Sequence, residues 1–391
     1  MAAVAPAPSS TVVTPRSLVA ACFLSNFDRF TVGPVLIAVA TGLHVRLAAT
    51  TAVASGYAIA YGLSQPVWGL LSDRLGRVRI LRGALIAAGV TGLLSALMPS
   101  LLPLVVARTV AGACFGAIIP TSLTYLGDTI PVTHRQGALS DLMSALGIGT
   151  ALATTFGGVV AHLAGWRFVF ALPAVAALVV AFVVRGLPEP PASGSPGPHR
   201  RPLAVVLRER WSYVVMALGF VEGAVLLGCL IFLAPAAQAR GMSAAWAGAL
   251  VGLYGVGILV FTRIVKRLTR RRPAWALLTV GGVLMGTGYL VAAFGQAALA
   301  IGATAVLLGG GWAFMHSTLQ TWSTTVTPEA RGSAVAVFAA ALFVGSAVAA
   351  ALAGPLAQSG RYGLLFGAAA LTTIPLTTAG AIARRRYTPR G

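Results

Sequence analysis

The stretch GLLSDRLGRVRIL, residues 69–81, is the most informative part of this 391-residue chain. It places an aspartate and three arginines between two apolar runs. Each run has about 20 residues, which is the length that crosses the hydrocarbon core of a bilayer. Two glycines within the stretch allow a tight turn. The stretch therefore predicts a short polar connection between two membrane-crossing helices.

The whole chain has the composition of a membrane protein. It is 57% hydrophobic and 9% charged, with a mean hydropathy of +0.87, whereas soluble domains carry about 25% charged residues. The net charge of +20 would suit nucleic acid binding, but the basic residues lie in short gaps between apolar runs. This distribution makes the lipid bilayer the expected surroundings and argues against a nucleic acid partner.

Twelve apolar runs are long enough to be transmembrane helices. They lie at residues 17–40, 48–71, 81–98, 101–126, 137–163, 166–185, 211–236, 244–263, 273–294, 297–321, 332–356 and 361–383. We therefore predict an all-α polytopic membrane protein with twelve transmembrane helices, numbered spans 1–12 in chain order.

The basic residues also orient these spans. With the N-terminus inside, the inner segments hold 22 of the 28 Lys and Arg residues, and the outer loops hold 4. Because cytoplasmic loops carry the excess of Lys and Arg, both termini are predicted to be cytoplasmic.

A segment rich in Pro, Gly and Ser divides the spans into two groups of six. The predicted organisation is a disordered tail at 1–16, a six-helix bundle at 17–185, a cytoplasmic linker at 186–210, a second bundle at 211–383 and a basic tail at 384–391. A shift of 196 residues places Arg331 on Arg135, so the two bundles form a repeat. Parallel repeats of this kind place a transporter's binding site between the halves, near the membrane midplane.

The opening stretch also resembles the signature between the second and third helices of the major facilitator superfamily, Gly-x-Leu-(Ala/Ser)-Asp-Arg-x-Gly-Arg-(Arg/Lys). The matching residues include Gly69, Asp73, Arg74, Gly76 and Arg77, whereas Val78 departs from the pattern. The resemblance implies a conformational latch formed by these five residues, in which Asp73 contacts the start of span 11 near residues 331–333. The alternative interpretation is a solvated loop that only anchors the topology.

Span 4 carries a second resemblance to the same family. Residues 105–117 contain Arg108 followed by glycines at a spacing of four, and the matching arginine is associated with proton movement in proton-coupled members. Residues 149–158 resemble the fifth-span pattern of drug–proton antiporters in their outer glycines but lack its Gly-Pro pair. The chain most resembles the drug–proton antiporter branch of the family.

Four costly charged residues lie well inside the predicted spans: Asp28, Arg29, Arg108 and Glu222. Ionisable residues inside a bilayer usually mark ion or substrate paths. A buried carboxylate can change its protonation when water, substrate or an arginine approaches it. We therefore predict that these residues handle protons and charge, although Glu222 could instead be a neutral acid that only binds a neighbouring helix.

Polar and aromatic residues at helical spacing predict the lining of a substrate cavity. The predicted set is Asn26 in span 1, Tyr57, Tyr61 and Gln65 in span 2, and Trp312, His316 and Gln320 in span 10. The alternative is that the aromatic members belong to the packed core or to the interfacial belt.

No motif predicts covalent chemistry. The chain has no Walker A, HExxH or GxSxG pattern, and its three cysteines are far apart, so we predict neither an enzyme nor a cofactor or metal site. The favoured function is proton-coupled efflux of a small organic molecule or drug by alternating access, performed by a monomer in the inner (plasma) membrane of a bacterium. The alternatives are a proton-coupled uptake symporter for an organic anion and a non-transporting receptor or scaffold.

Overall fold

The computed structural model describes residues 14–190 and 202–388, which form helices joined by short turns. The spans are, in order, Arg16–Phe30 with Val32–Gly42, Leu47–Leu75, Arg77–Leu97, Leu101–Thr129, Val132–Leu163, Trp166–Val184, Arg210–Ala239, Ala244–Leu268, Ala274–Phe294, Ala298–Val326, Arg331–Gln358 and Tyr362–Arg386. A short helix at Pro202–Arg208 precedes span 7. Most of the predicted N-terminal tail, and parts of the predicted linker and C-terminal tail, lie outside the described residues.

The helices have the length and composition of membrane spans. Within the described ranges, ten are long and apolar enough, and span 1 is an eleventh if its two parts, bent by 48°, are counted together. Span 2 has 29 residues but carries polar side chains such as Ser64 and Gln65. Large apolar side chains are exposed, including Phe294 at 91% and Leu299 at 86%, as suits a surface that faces lipid. The prediction of an all-α polytopic membrane protein is confirmed, and the count of twelve is consistent with these helices.

The opening stretch is more helical than predicted. Spans 2 and 3 were expected to end at residue 71 and to begin at residue 81, but the helices end at Leu75 and begin at Arg77. Gly76 alone separates them, with a φ of 101° that favours glycine. The charged residues therefore belong to the two helix ends rather than to a loop.

The N-terminus of span 3 is capped by Glu189, which follows span 6. Its two carboxylate oxygens accept hydrogen bonds from the backbone amides of Val78 and Arg79, at 3.1 and 3.2 Å. A carboxylate satisfies the free amides of a first turn and complements the helix dipole. The sequence carries no local signal for this cap, because Glu189 lies 110 positions from Arg79.

Each half of the molecule has its own hydrophobic core. One cluster draws its buried members from residues 215–387, and two others draw nearly all of theirs from residues 18–184. Two partly buried side chains, Phe30 and Trp312, pack against both of the larger clusters. Phe30 of span 1 therefore lies where the halves meet, because the first of these clusters belongs to the second half alone.

The halves contact each other along spans 5 and 8 and along spans 2 and 11. Glycines bring the backbones of spans 5 and 8 together at their outer ends. A Cβ atom added to Gly158 would lie 2.1 Å from the Ala244 carbonyl oxygen, and one added to Gly248 would lie 2.2 Å from that of Thr154. Small residues let membrane helices approach this closely.

The inner ends of the helices are those joined by the arginine-rich loops. Near the middle of the interface, the Ser55 hydroxyl donates to the Ala347 carbonyl oxygen at 3.1 Å. Toward the inner end, a Cβ atom added to Gly332 of span 11 would meet nothing within 4 Å. The side chain of Asp73 in span 2 is 61% exposed. Gly332 and Asp73 therefore both lie at exposed positions at the inner ends of spans 11 and 2.

We expect Gly158→Ala to destabilise the protein, because the new methyl group would overlap the Ala244 carbonyl oxygen. Overpacking of this kind costs about 1–3 kcal/mol. Thermal unfolding in detergent measures the change. Gly83→Ala is the matched control, since a Cβ atom at this helical glycine would meet nothing within 4 Å. Equal unfolding temperatures for the two variants would contradict the close contact between spans 5 and 8.

Candidate substrate and proton site

The centre of the first half is a buried ion pair between spans 1 and 4. The Arg108 guanidinium donates two hydrogen bonds to the Asp28 carboxylate, at 3.0 and 2.7 Å. The side chains are 0% and 2% exposed. The Arg108 guanidinium also lies 4.7 Å from the ring centre of Tyr57 and 4.6 Å from that of Phe170. The structure thus brings together two of the four charged residues that the sequence singled out.

Arg29, the neighbour of Asp28 in sequence, has different partners. Its guanidinium donates to the Asn26 side-chain oxygen and lies 5.3 Å and 5.1 Å from the ring centres of Tyr61 and Phe343. Among the described residues it forms no ion pair, and its buried Nε atom has no hydrogen-bond partner. Arg29 therefore does not hold a carboxylate in this conformation.

Asn26 links span 1 to span 5. Its amide donates to the Leu146 carbonyl oxygen at 2.8 Å and to the Thr150 hydroxyl at 2.5 Å. The oxygen of the same side chain accepts a hydrogen bond from Arg29. Asn26 is thus held by span 5 and in turn fixes the position of the Arg29 guanidinium.

The centre of the second half is a pair formed by Glu222 of span 7 and His316 of span 10. The His316 Nδ1 atom lies 3.4 Å from one Glu222 carboxylate oxygen. The other oxygen is buried without a hydrogen-bond partner. The His316 ring stacks on Trp312, with ring centres 3.7 Å apart and an angle of 18° between the planes.

Local distortions of the helices flank this pair. Residues Ala224–Gly228 of span 7 and Trp312–His316 of span 10 are π-helical turns. Such turns occur often at functional sites, where one extra residue per turn redirects side chains. Both members of the pair therefore lie at, or next to, an irregular turn.

A small cavity lies between the halves. It has a volume of about 60 Å³, and its walls come from spans 1, 2, 5, 7, 8 and 11. Its lining includes Arg29, Phe30, Tyr57, Phe343 and Ser346. Pockets for drug-sized ligands measure about 300–1,000 Å³, so the halves must move apart before such a ligand can occupy this position.

The predicted cavity residues fall into three groups. Tyr57 borders the cavity, while Asn26 and Tyr61 surround Arg29. Trp312 and His316 belong to the Glu222 cluster.

Gln65 is half-buried, Gln320 is exposed, and neither borders the cavity; their predicted role stays a prediction. The sequence did not identify Phe343 or Ser346, since an isolated aromatic or hydroxyl residue in an apolar run carries no signal.

Two of the predicted latch residues, Asp73 and Arg77, belong to a polar cluster at the inner ends of spans 2, 3 and 4. Arg77 forms ion pairs with Asp73 and Asp128, the latter at 3.1 Å. Asp73 pairs with Arg77 and forms no ion pair with Arg331 among the described residues. A contact between Asp73 and span 11 therefore stays a prediction for a conformation that is closed on the inner side. Gly69 and Arg74 occupy exposed or half-buried positions on span 2.

Comparisons with known proteins agree with this geometry. The family model described as Major Facilitator Superfamily matches residues 18–350. The chain belongs to the major facilitator superfamily. Among curated members, a chloramphenicol resistance protein of Streptomyces lividans is 27% identical over 376 residues, which cover 92% of this chain and 93% of that protein. The quinolone resistance protein NorB of Staphylococcus aureus is 31% identical over 121 residues, or 31% of this chain and 26% of that protein.

Solved structures of transporters share the fold. A bacterial homologue of the human lysosomal transporter Spinster, in an inward-facing and unoccupied conformation, has a TM-score of 0.78 at 18% identity and covers 96% of this chain and 98% of its own. A D-xylose-proton symporter has a TM-score of 0.70 at 18% identity and covers 93% of this chain and 98% of its own. This major facilitator protein is therefore a multi-pass membrane transporter of small molecules and not an enzyme, and the receptor or scaffold interpretation loses its support.

We expect Asp28→Leu to destabilise this transporter strongly, because it leaves the buried Arg108 charge without a partner. Breaking one side of a buried ion pair costs about 3–5 kcal/mol. The double variant with Asp28→Leu and Arg108→Met replaces the pair by apolar side chains and should recover most of the loss. Thermal unfolding in detergent compares the three proteins. A single variant as stable as the wild type would show that the ion pair does not hold spans 1 and 4 together.

Proposed function

We propose that this transporter exports a small organic molecule in exchange for protons, by alternating access, in the plasma membrane of a bacterium. The observation that carries the proposal is the buried Asp28–Arg108 pair beside a cavity that both halves line. The cavity belongs to one chain, so we propose that a monomer is sufficient.

The proton chemistry follows from the geometry of the pair. A proton on Asp28 removes its charge and leaves the Arg108 guanidinium uncompensated in an apolar interior, which disfavours the closed pair. Tyr57 packs on this guanidinium and also lines the cavity. A molecule bound in the opened cavity would therefore touch the Tyr57 ring, whose position depends on whether the Asp28–Arg108 pair is formed. Binding of the transported molecule and protonation of Asp28 would in this way be coupled.

The relatives support export. The chloramphenicol and quinolone resistance proteins are named for resistance to drugs, and removal of the drug from the cell is the contribution that a transporter makes to resistance. The exposed Asp73 and Gly332 at the inner ends, and the glycine contacts of spans 5 and 8 at the outer ends, suit a conformation that receives cargo from the cytoplasm. Glycines such as Gly158 and Gly248 provide the smooth contact on which the halves could rock.

Arg29 favours a second candidate function, the transport of an organic anion. It is a cation on the cavity wall that pairs with no carboxylate among the described residues. A guanidinium in such a position suits a carboxylate or another planar anionic group. Uptake of an organic anion with protons would use the same cavity and the same ion pair.

Proton release tests the main proposal. We expect chloramphenicol to release protons from weakly buffered wild-type protein in detergent, and a proton gradient to drive chloramphenicol uptake into inverted membrane vesicles. Asp28→Asn should abolish both signals. Asp141→Asn is the matched control, because this acid lies at the inner end of span 5 and bonds only to Thr14 among the contacts described. Gradient-driven transport that survives in Asp28→Asn would overturn the assignment of proton exchange to this pair.

Arg29→Ala separates the two candidate functions. Binding of an aromatic carboxylate such as benzoate should weaken about tenfold or more, because one charge-assisted hydrogen-bonded contact is lost. Binding of a lipophilic cation such as tetraphenylphosphonium should not weaken. Isothermal titration with purified protein measures both. If the wild type binds no aromatic carboxylate, the organic-anion function is rejected.

A further inference from the structure

The cavity between the halves has two chemically different sides. Among the described residues that line it, the first half supplies three polar ones, which we call the polar wall: Arg29 of span 1, Tyr57 of span 2 and Thr154 of span 5. The lining residues of spans 7, 8 and 11 are apolar except for Ser346. Nearly all of the polar groups therefore lie on one side of the cavity.

Each residue of the polar wall has a buried polar atom without a hydrogen-bond partner among the described residues. The atoms are the Arg29 Nε and the hydroxyl oxygens of Tyr57 and Thr154. These two hydroxyl residues are 2% and 4% exposed. Buried polar groups in folded proteins are usually hydrogen-bonded, and an unpaired one is costly. A ligand that pairs with these atoms would remove this cost.

The sequence did not predict Thr154 as a cavity residue. It lies in the stretch 149–158, where Ala153 and Thr154 stand in place of the Gly-Pro pair of drug–proton antiporters. Its hydroxyl oxygen lies beside span 8, since a Cβ atom added to Gly252 would be 3.2 Å away from it. The departure from the antiporter pattern therefore places a hydroxyl group where the two halves meet.

The polar wall is suited to donating hydrogen bonds. A guanidinium can only donate, and a hydroxyl can donate to any acceptor. No carboxylate or amide side chain lines the cavity among the described residues. The carboxylate nearest in sequence, that of Asp28, already accepts from Arg108 with both oxygens. The wall therefore suits a hydrogen-bond acceptor, and the charge of Arg29 repels a cation.

The opposite side of the cavity suits an apolar group. Leu227 and Leu230 of span 7 and Val251 of span 8 line it. The ring centre of Phe343 in span 11 lies 5.1 Å from the Arg29 guanidinium. An aromatic molecule whose polar end reaches Arg29 would therefore have its ring beside Phe343, in an arrangement that favours contact between rings.

We propose that the cavity selects molecules that carry a hydrogen-bond acceptor, such as a nitro, carbonyl or carboxylate group, at one end of an aromatic or other apolar body. The acceptor faces the polar wall, and the body packs against spans 7, 8 and 11. In this conformation the three polar atoms are covered, so the cavity of about 60 Å³ must open before a molecule reaches them.

Molecules with an amino or amidinium group in place of the acceptor are rejected, because the donors of the polar wall then stay unpaired. The inference deepens the proposed function and rests on it for the position of the transported molecule. The choice between acceptors and donors does not depend on protons.

Matched pairs of ligands test the acceptor requirement in purified wild-type protein. Chloramphenicol is compared with its aryl amine, in which the nitro group is reduced to an amino group, and benzoate is compared with benzamidinium. Isothermal titration should give a dissociation constant at least about tenfold lower for the acceptor-bearing member, a difference of about 1.4 kcal/mol. Equal or reversed affinities within a pair, or binding of neither acceptor-bearing compound, would overturn the inference.

Two isosteric variants test the hydroxyl groups. Tyr57→Phe and Thr154→Val should each weaken chloramphenicol binding about three- to tenfold, as expected for the loss of one neutral hydrogen bond. Without ligand, both variants should unfold at the wild-type temperature or above it, because each removes a buried hydroxyl that has no partner. A residue with only a structural role would show the reverse, a lower unfolding temperature and unchanged binding.

The matched controls are Tyr254→Phe and Thr121→Val. Each also removes a buried hydroxyl without a partner, but neither residue lines the cavity. Both controls should bind chloramphenicol as the wild type does. Wild-type affinity in Tyr57→Phe and Thr154→Val, or an equal loss of affinity in the controls, would overturn the assignment of the polar wall.

Proton release separates this inference from the proposed function. If chloramphenicol releases no protons but the acceptor-bearing ligands bind more tightly, the exchange function is rejected and the selectivity of the cavity stands. If chloramphenicol releases protons but the ligands of each pair bind equally, the function stands and the inference is overturned.

Discussion

A charged side chain in the apolar centre of a helix bundle needs a partner of opposite charge, and this requirement organises the first half of the molecule. Arg108 is fully buried and donates to both oxygens of Asp28. The rings of Tyr57 and Phe170 lie close to the same guanidinium. One side chain therefore holds spans 1, 2, 4 and 6 around a common point. Any event that neutralises Asp28 acts on four helices at once.

The second half meets the same requirement only in part. Glu222 has one oxygen near His316 and one without a partner, next to π-helical turns in both helices. Both oxygens of Asp28 accept hydrogen bonds, whereas one oxygen of Glu222 has no partner and lies beside irregular turns.

The interface between the halves lies between the Asp28–Arg108 pair and the Glu222–His316 pair, and it is tight in some places and open in others. At the outer ends, glycines such as Gly158 bring the backbones of spans 5 and 8 into direct contact, whereas the inner end of span 11 has open space beside Gly332. The cavity of about 60 Å³ between the halves is too small for cargo in this conformation. Movement of the halves about the glycine contacts would enlarge it, and Phe30 would report that movement because it touches the cores of both halves.

Much of this architecture could be predicted from the residues alone. Hydropathy, the arginine-rich inner loops and the signature around Asp73 predicted a helical membrane transporter, because each depends on composition or spacing within one short segment. The same properties marked Asp28, Arg108 and Glu222 as costly and therefore functional. The partners of those charges could not be predicted. Asp28 bonds to a residue 80 positions away while its neighbour Arg29 turns to Asn26 and aromatic rings, and only the packing of the helices determines which side chains meet across such distances.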